Sequence, residues 1–333
     1  MARAYASRII KAPVETVWSV VRNFNGLPAW APGIVDSKIE GGLDADVVGC
    51  VRSFHTKDGA HIRERLLTLD DARYSFTYNF EKPAFPVKNY IATLRLMPVT
   101  NGDATFAEWE ATFDEAPGDE GKYVAKISKD VFAANWKSLS AKIKREKPQK
   151  PEGSVRWKAW APNKVWTSRV IKAPIEQVWG KMRDFAGMGA WHGDITKMHM
   201  LKKARPDKVS GVRDFYFGDG HLNEELLHLC DLTRSFSYRI TKCEIPWMNY
   251  VSGRRLWPVT ADNTTFCVWT GDWVASPQDD LTLIPRTEEN VYQRAFAELE
   301  KNFFGPNASF RRLGEAKASL RRSQVAGMTD AIG

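Results

Sequence analysis

Apolar and polar positions change their period twice within the first half of the chain, and the same series of changes then runs a second time. Ala4 to Lys11 reads as a strand. Ala12-Pro13 opens a short helix, because proline is tolerated in a first helical turn and Glu15 suits its positive end. Trp18, Val21 and Phe24 continue it at helical spacing, and Gly26, Pro28 and Pro32 keep a second short helix to a turn or two. From Val35 to Asp114 the pattern predicts strands at Val35 to Glu40, Val48 to Thr56, His61 to Leu69, Tyr74 to Phe80, Val87 to Met97 and Thr105 to Phe113, with short connections that favour an antiparallel meander. Glu120 to Arg145 then carries Val124, Ile127, Val131, Phe132, Trp136, Leu139 and Ile143 on one stripe, which predicts a long amphipathic helix.

A long helix must bury its stripe and a single sheet must bury one face, so each covers the other, in an α+β fold. A curved sheet cannot touch the helix everywhere. The gap predicts a cavity open at one end of the strands, suited to a hydrophobic small molecule.

The series repeats. Ser7 to Ile34 (SRIIKAPVETVWSVVRNFNGLPAWAPGI) matches Ser168 to Ile195 (SRVIKAPIEQVWGKMRDFAGMGAWHGDI) at 15 of 28 positions without a gap, a domain duplication. Further on, His61 pairs with His221, Glu64 with Glu224, Phe76 and Tyr78 with Phe236 and Tyr238, Asn89-Tyr90 with Asn249-Tyr250, and Trp109 with Trp269. The expected organisation is a first domain over 1–146, a linker over 147–163, a second domain over 164–305 and a tail over 306–333, helical from Ser309 to Ser323. Trp157 and Trp160 are unusual in a free tether and predict that part of the linker packs on a domain.

With 43% hydrophobic and 26% charged residues, the 333-residue chain has the composition of a globular protein. Its apolar runs are too short for a membrane helix, and MARAYASRII has no apolar segment of a secretory signal, so the expected location is the cytoplasm. The net charge of +8 collects around Lys142 to Lys150 and Arg311 to Arg322, which reads as solvated charge and not a nucleic-acid surface. The four cysteines lack metal or disulfide spacing, no HExxH set occurs, and phosphate loops, dinucleotide fingerprints and GxSxG elbows are missing, so neither a metal nor a cofactor is expected.

Both copies resemble the helix-grip superfamily called SRPBCC, which includes START lipid-transfer domains, polyketide aromatase/cyclases and abscisic acid receptors. KAPVETVW, the W-x-P of Trp30 and Pro32, VGCVR at Val48 to Arg52, KDG at Lys57 to Gly59, RERL at Arg63 to Leu66, PVKNY at Pro86 to Tyr90 and NWKSL at Asn135 to Leu139 carry the likeness. The resemblance implies two tandem helix-grip domains, each with a curved sheet wrapped round its C-terminal helix. It also implies pocket linings of Arg52, Phe54, Ile62, Glu64, Phe76, Tyr78, Val87, Tyr90, Ala92, Glu110, Ile127, Val131 and Asn135 in the first copy. In the second it implies Arg213, Phe215, Phe217, Leu222, Glu224, Phe236, Tyr238, Trp247, Tyr250, Ser252, Thr270 and Val291. The basic residue that grips the hormone carboxylate in the plant receptors is replaced by Val35 and Thr196, so hormone binding is not implied.

Glu64 with Tyr90, and Glu224 with Tyr250, are the candidate catalytic pairs: a carboxyl walled by aromatic rings should have a raised pKa, and a nearby phenol can hold a carbonyl. The alternative is that each glutamate pairs with Arg52 or Arg213 across adjacent strands and is structural. His192 and His221 are further acid/base candidates if they line the pocket mouth, and surface positions beside turns otherwise. Two functions follow: a cofactor-independent enzyme of polyketide cyclase/dehydratase type, acting on an aromatic or phenolic compound as a lyase, dehydratase or decarboxylase, or a binding or transfer protein for a hydrophobic ligand. The histidines and unshared tryptophans of the second copy mark it as the expected active one.

Overall fold

The computed structural model describes residues 1–149 and 163–305. Trp157, Trp160 and the helix expected over Ser309 to Ser323 lie outside them. The chain divides into two compact units, each built round a seven-stranded antiparallel sheet.

In the first domain, β1 (Ala2–Ile10) leads into α1 (Val14–Val21) and a 3-10 turn (Leu27–Ala29), followed by β2 (Ile34–Ile39), β3 (Val51–Thr56), β4 (His61–Asp70), β5 (Ser75–Lys82), β6 (Lys88–Val99) and β7 (Ala104–Asp114). The sheet order β1-β7-β6-β5-β4-β3-β2 is a meander whose first strand returns to pair with its last. α2 (Lys122–Lys126) runs through a π-helical stretch (Ile127–Ala133) into α3 (Ala134–Glu146). The long helix read from the stripe is therefore present, with a wide turn inserted in its middle. Such turns displace one residue from the helical ladder and are frequent beside functional sites.

Curvature has a local cause. The register of β4 slips against β5 between Arg63 and Glu64 and again between Leu66 and Thr68, and in the second domain the slips recur between Asn223 and Glu224 and between Leu226 and His228. Each bulge bends its strand, so the sheet closes round the helix. The helix stripe fills the concave side: Trp109 stacks on Phe132 at 4.7 Å, and Trp136 lies against Trp30 at 6.4 Å and donates from Nε1 to the Ala6 carbonyl. α1 is tied to the turn after β4 through Asp71, which accepts from Trp18 Nε1 at 2.7 Å and pairs with Arg22.

The second domain repeats the plan with β8 (Val165–Ile171), α4 (Ile175–Met182), a 3-10 turn (Gly187–Ala190), β9 (Ile195–Met200), β10 (Val212–Phe217), β11 (Gly220–Cys230), β12 (Ser235–Cys243), β13 (Met248–Val259) and β14 (Thr264–Val274). Its closing helix is α5 (Pro277–Pro285), a π-helical stretch (Arg286–Gln293) and α6 (Arg294–Leu299). Asp231 repeats the Asp71 anchor with Trp179 and Arg183. Two copies holding the same tie with different neighbours mark it as architecture.

Candidate functional site

The first domain encloses a cavity of about 430 Å³ between the concave face of the sheet and the π-helical stretch. Of the expected lining, Arg52, Phe54, Ile62, Glu64, Tyr78, Tyr90, Ile127, Val131 and Asn135 all reach it. The sequence reading missed Phe80, Phe85, the turn Pro32 to Ile34 and the mouth residues Lys57, Asp58, Lys126 and Asp130. Phe80 continues the inward alternation of Phe76 and Tyr78, a signal that was available. Lys57 and Asp58 sit on a turn, and Lys126 and Asp130 on the closing helix at and within its π-helical stretch, where the wide turn breaks the α-helical period.

Four expected residues, Phe76, Val87, Ala92 and Glu110, are not among those lining the cavity. Glu110 points to the outer face, because its neighbour Trp109 takes the inward position, and it pairs with Arg3 at 2.6 Å. Phe76 is buried beneath α1 against Trp18 and Phe24 and serves the core.

Glu64 is anchored. Arg52 stands directly opposite it on β3, and its Nε donates to Glu64 Oε2 at 2.6 Å while Nη2 contacts the same oxygen at 2.5 Å. Nη1 donates to the Phe24 carbonyl at 2.6 Å, and the guanidinium lies 3.9 Å over the Phe24 ring. Burial pushes the Glu64 carboxyl above its ordinary value against the opposing pull of Arg52. Tyr90 lies stacked on Phe80 at 3.9 Å, and burial holds its hydroxyl well above the usual phenol range. Tyr78 accepts from Trp109 Nε1 at 3.1 Å.

In the second domain Arg213 and Glu224 reproduce the pair, with Nε to Oε2 at 2.6 Å and Nη1 to the Phe185 carbonyl at 2.6 Å. Around them the interior differs. Trp247 stands for Val87, Trp273 for Phe113, Ser252 for Ala92, Arg254 for Leu94 and Tyr292 for Phe132. Tyr250 stacks on Trp273 at 5.9 Å and packs on Trp247 at 5.1 Å, and its hydroxyl meets that of Tyr292. Ser252 accepts from Trp269 Nε1 at 2.8 Å and donates to the Thr270 carbonyl at 2.7 Å. The second interior thus carries larger rings and a hydrogen-bonded chain where the first has smaller or apolar side chains. Phe215 and Tyr238 are buried beside Arg213, whereas Phe236 packs on Trp179 and Phe185 as Phe76 does in the first copy.

His221 does not reach the interior. It faces Tyr216 across the strands on the outer side, stacked at 4.9 Å, and bonds to Asp214 Oδ2 at 2.7 Å, because Phe215 and Leu222 take the inward positions. His192 is buried but faces a separate cleft of about 440 Å³, shared with Trp191, Gly193, Glu298, Lys301 and Phe303. Phe217, half-buried, meets the His192 ring edge-on at 5.5 Å. Burial lowers the His192 pKa, opposed by Glu298 at 3.6 Å. Among the described residues no cluster of three or more His, Cys, Asp or Glu is placed to hold a metal, and no helix is long and apolar enough to cross a membrane.

A bent antiparallel sheet gripping a closing helix, twice in one chain, defines a tandem helix-grip protein. The family model for polyketide cyclase / dehydrase and lipid transport matches residues 1–144 and 162–303, and the chain belongs to that family. It is 27% identical over 143 residues to the abscisic acid receptor PYL7 of Arabidopsis thaliana, covering 41% of this chain and 66% of the receptor, just short of two thirds of its length. Among solved structures it is 28% identical to the protein XoxI of Bacillus cereus, over 45% of this chain and 100% of that one, with a TM-score of 0.40. The di-domain ARO/CYC BexL of the BE-7585A biosynthetic pathway is 14% identical over 91% of this chain and 98% of its own, with a TM-score of 0.35.

Proposed function

We propose that the chain binds a hydrophobic, ring-bearing small molecule, and that the first domain's cavity holds it. One observation carries this reading: an aromatic-walled cavity of about 430 Å³, the size range of small-molecule sites, is present in the copy whose interior keeps the smaller side chains. This reading differs from the expectation that the second copy is the active one. Inside that cavity the Asn135 amide, which is Ala295 in the second copy, offers a donor and an acceptor to a polar substituent. The Arg52–Glu64 pair recurs with the same geometry in the second copy, whose surrounding side chains differ, which favours an architectural role.

Filling the cavity tests this. Val131→Trp should weaken binding of 2-naphthol, read by its fluorescence, at least about tenfold while the chain still folds. Equal affinity in the variant would place the ligand elsewhere.

A second reading, proton transfer on a phenolic substrate as in a cyclase or dehydratase, draws on Glu64. Both Arg52 contacts go to Oε2, so among the described residues Oε1 is given no hydrogen bond by Arg52, and burial favours the protonated form. On this reading Glu64→Gln abolishes turnover of candidate phenolics but keeps 2-naphthol binding. Turnover unaffected by the substitution rejects the role of Glu64.

A further inference from the structure

Arg254 of β13 is 3% exposed, yet among the described residues its guanidinium meets no carboxylate. Nη2 rests on the Met188 sulfur at 3.3 Å, and Nε has no hydrogen-bond partner. Its charge is faced by rings: the Trp269 centroid lies 3.3 Å away, with Phe236 at 5.1 Å and Tyr238 at 5.9 Å. Burial lowers its pKa to about 10, which leaves it charged at neutral pH.

Two further unmet donors follow Met188 in the chain, and one of them, the tryptophan nitrogen, is unmet in the first domain as well, at Trp30. The amides of Trp191 and His192 both bond to the carbonyl of Met188, the residue that contacts Arg254, and both rings are buried with a nitrogen unmet, Trp191 Nε1 and His192 Nε2. His192 Nδ1 accepts from the Asp194 amide at 3.3 Å, so a neutral ring carries its proton on Nε2. The first domain has Leu94 and Ala31 in place of Arg254 and His192.

Buried donors without acceptors are costly and a buried unpaired charge more so, and contact with aromatic rings offsets only part of that cost. The edge of Arg254 formed by Nε and Nη2 is the edge that Arg52 and Arg213 give to their glutamates. A planar carboxylate matches this fork with two parallel bonds, displacing the weak sulfur contact, whereas a spherical anion does not. We infer that the interior of the second domain at Arg254 binds the carboxylate of an organic acid with an apolar body, through the edge formed by Nε and Nη2. The inference is independent of the first domain's cavity.

The test titrates the full chain with benzoate, acetate and chloride at fixed ionic strength, reading the melting temperature and, for benzoate, saturation-transfer NMR. The Val131→Trp chain is run in parallel to remove any contribution from the first cavity. Benzoate at saturation should raise the melting temperature by on the order of 5 °C in both chains. Arg254→Leu, which installs the first domain's residue, should abolish that rise and the NMR signal in the Val131→Trp background, and should melt higher than its parent without ligand. Arg254→Met replaces it if the leucine chain does not fold. No response to benzoate, a response that survives both losses of Arg254, or an equal response to chloride overturns the proposal.

Discussion

Arg52 gives Nε and Nη2 to a single oxygen of Glu64, Oε2, inside a core where both side chains are almost fully shielded. Removing one partner leaves the other charge buried and uncompensated. Glu64→Leu should therefore destabilise the first domain by about 3–5 kcal/mol, and Arg52→Leu with Glu64→Leu should recover most of it, since a buried pair exchanged for apolar groups is often neutral. Chemical denaturation of the three chains checks this. Additive losses would mean that the pair is not coupled.

His192 predicts a pH dependence. Its folded pKa lies below the ordinary value of 6.5, mainly through burial, with Arg254 and Arg294 adding to the depression and Glu298 and Asp194 opposing it. As pH falls below about 6.5, the unfolded chain binds a proton that the folded ring resists, so this contribution is complete above that pH and is lost as pH descends through the folded pKa. Stability measured from pH 7.5 to 5 should fall less steeply in His192→Ala, which installs the first domain's Ala31. Parallel profiles would show that His192 titrates alike in both states.

Strand order, the closing helix and the duplication were legible because period and punctuation survive in each copy. The pocket lining was legible through the family resemblance, which places Arg52, Phe54, Glu64 and Tyr90 on the cavity. Glu110 was misplaced by one position on β7, and in a strand one position exchanges the faces. His221 was weighed between the pocket mouth and a surface position beside a turn, and its pairing with Tyr216 places it on the outer side. The difference between the two interiors depends on pairs distant in sequence, such as Tyr250 with Tyr292, which no local pattern reveals.

The repeated Asn-Tyr shows a cause hidden in a recurrence. Asn89 and Asn249 adopt φ of 52° and 51°, and the register of β6 slips between Lys88 and Ile91, so each asparagine turns the strand to bring the next tyrosine inward. Left-handed backbone strains a β-branched residue and suits glycine. Asn89→Val should cost about 1–2 kcal/mol more than Asn89→Gly, and 2-naphthol affinity should drop further in the valine chain as Tyr90 shifts. Equal melting temperatures would remove backbone strain as the reason for the recurrence.

Gly271 and Tyr292 make the divergence of the two interiors a matter of two coupled positions. A Cβ on Gly271 would meet the Tyr292 hydroxyl, and the corresponding pair in the first domain is Ala111 with Phe132. Gly271→Ala should cost about 1–3 kcal/mol by overpacking. Tyr292→Phe should cost about 1–3 kcal/mol because the buried Tyr250 hydroxyl loses its partner. In the double variant the new methyl enters the space that the hydroxyl leaves, so the combined loss should be smaller than the sum by about 1 kcal/mol or more. A double-mutant cycle by urea denaturation reads this coupling, and strictly additive losses would mean that glycine is required at 271 for a reason other than the tyrosine.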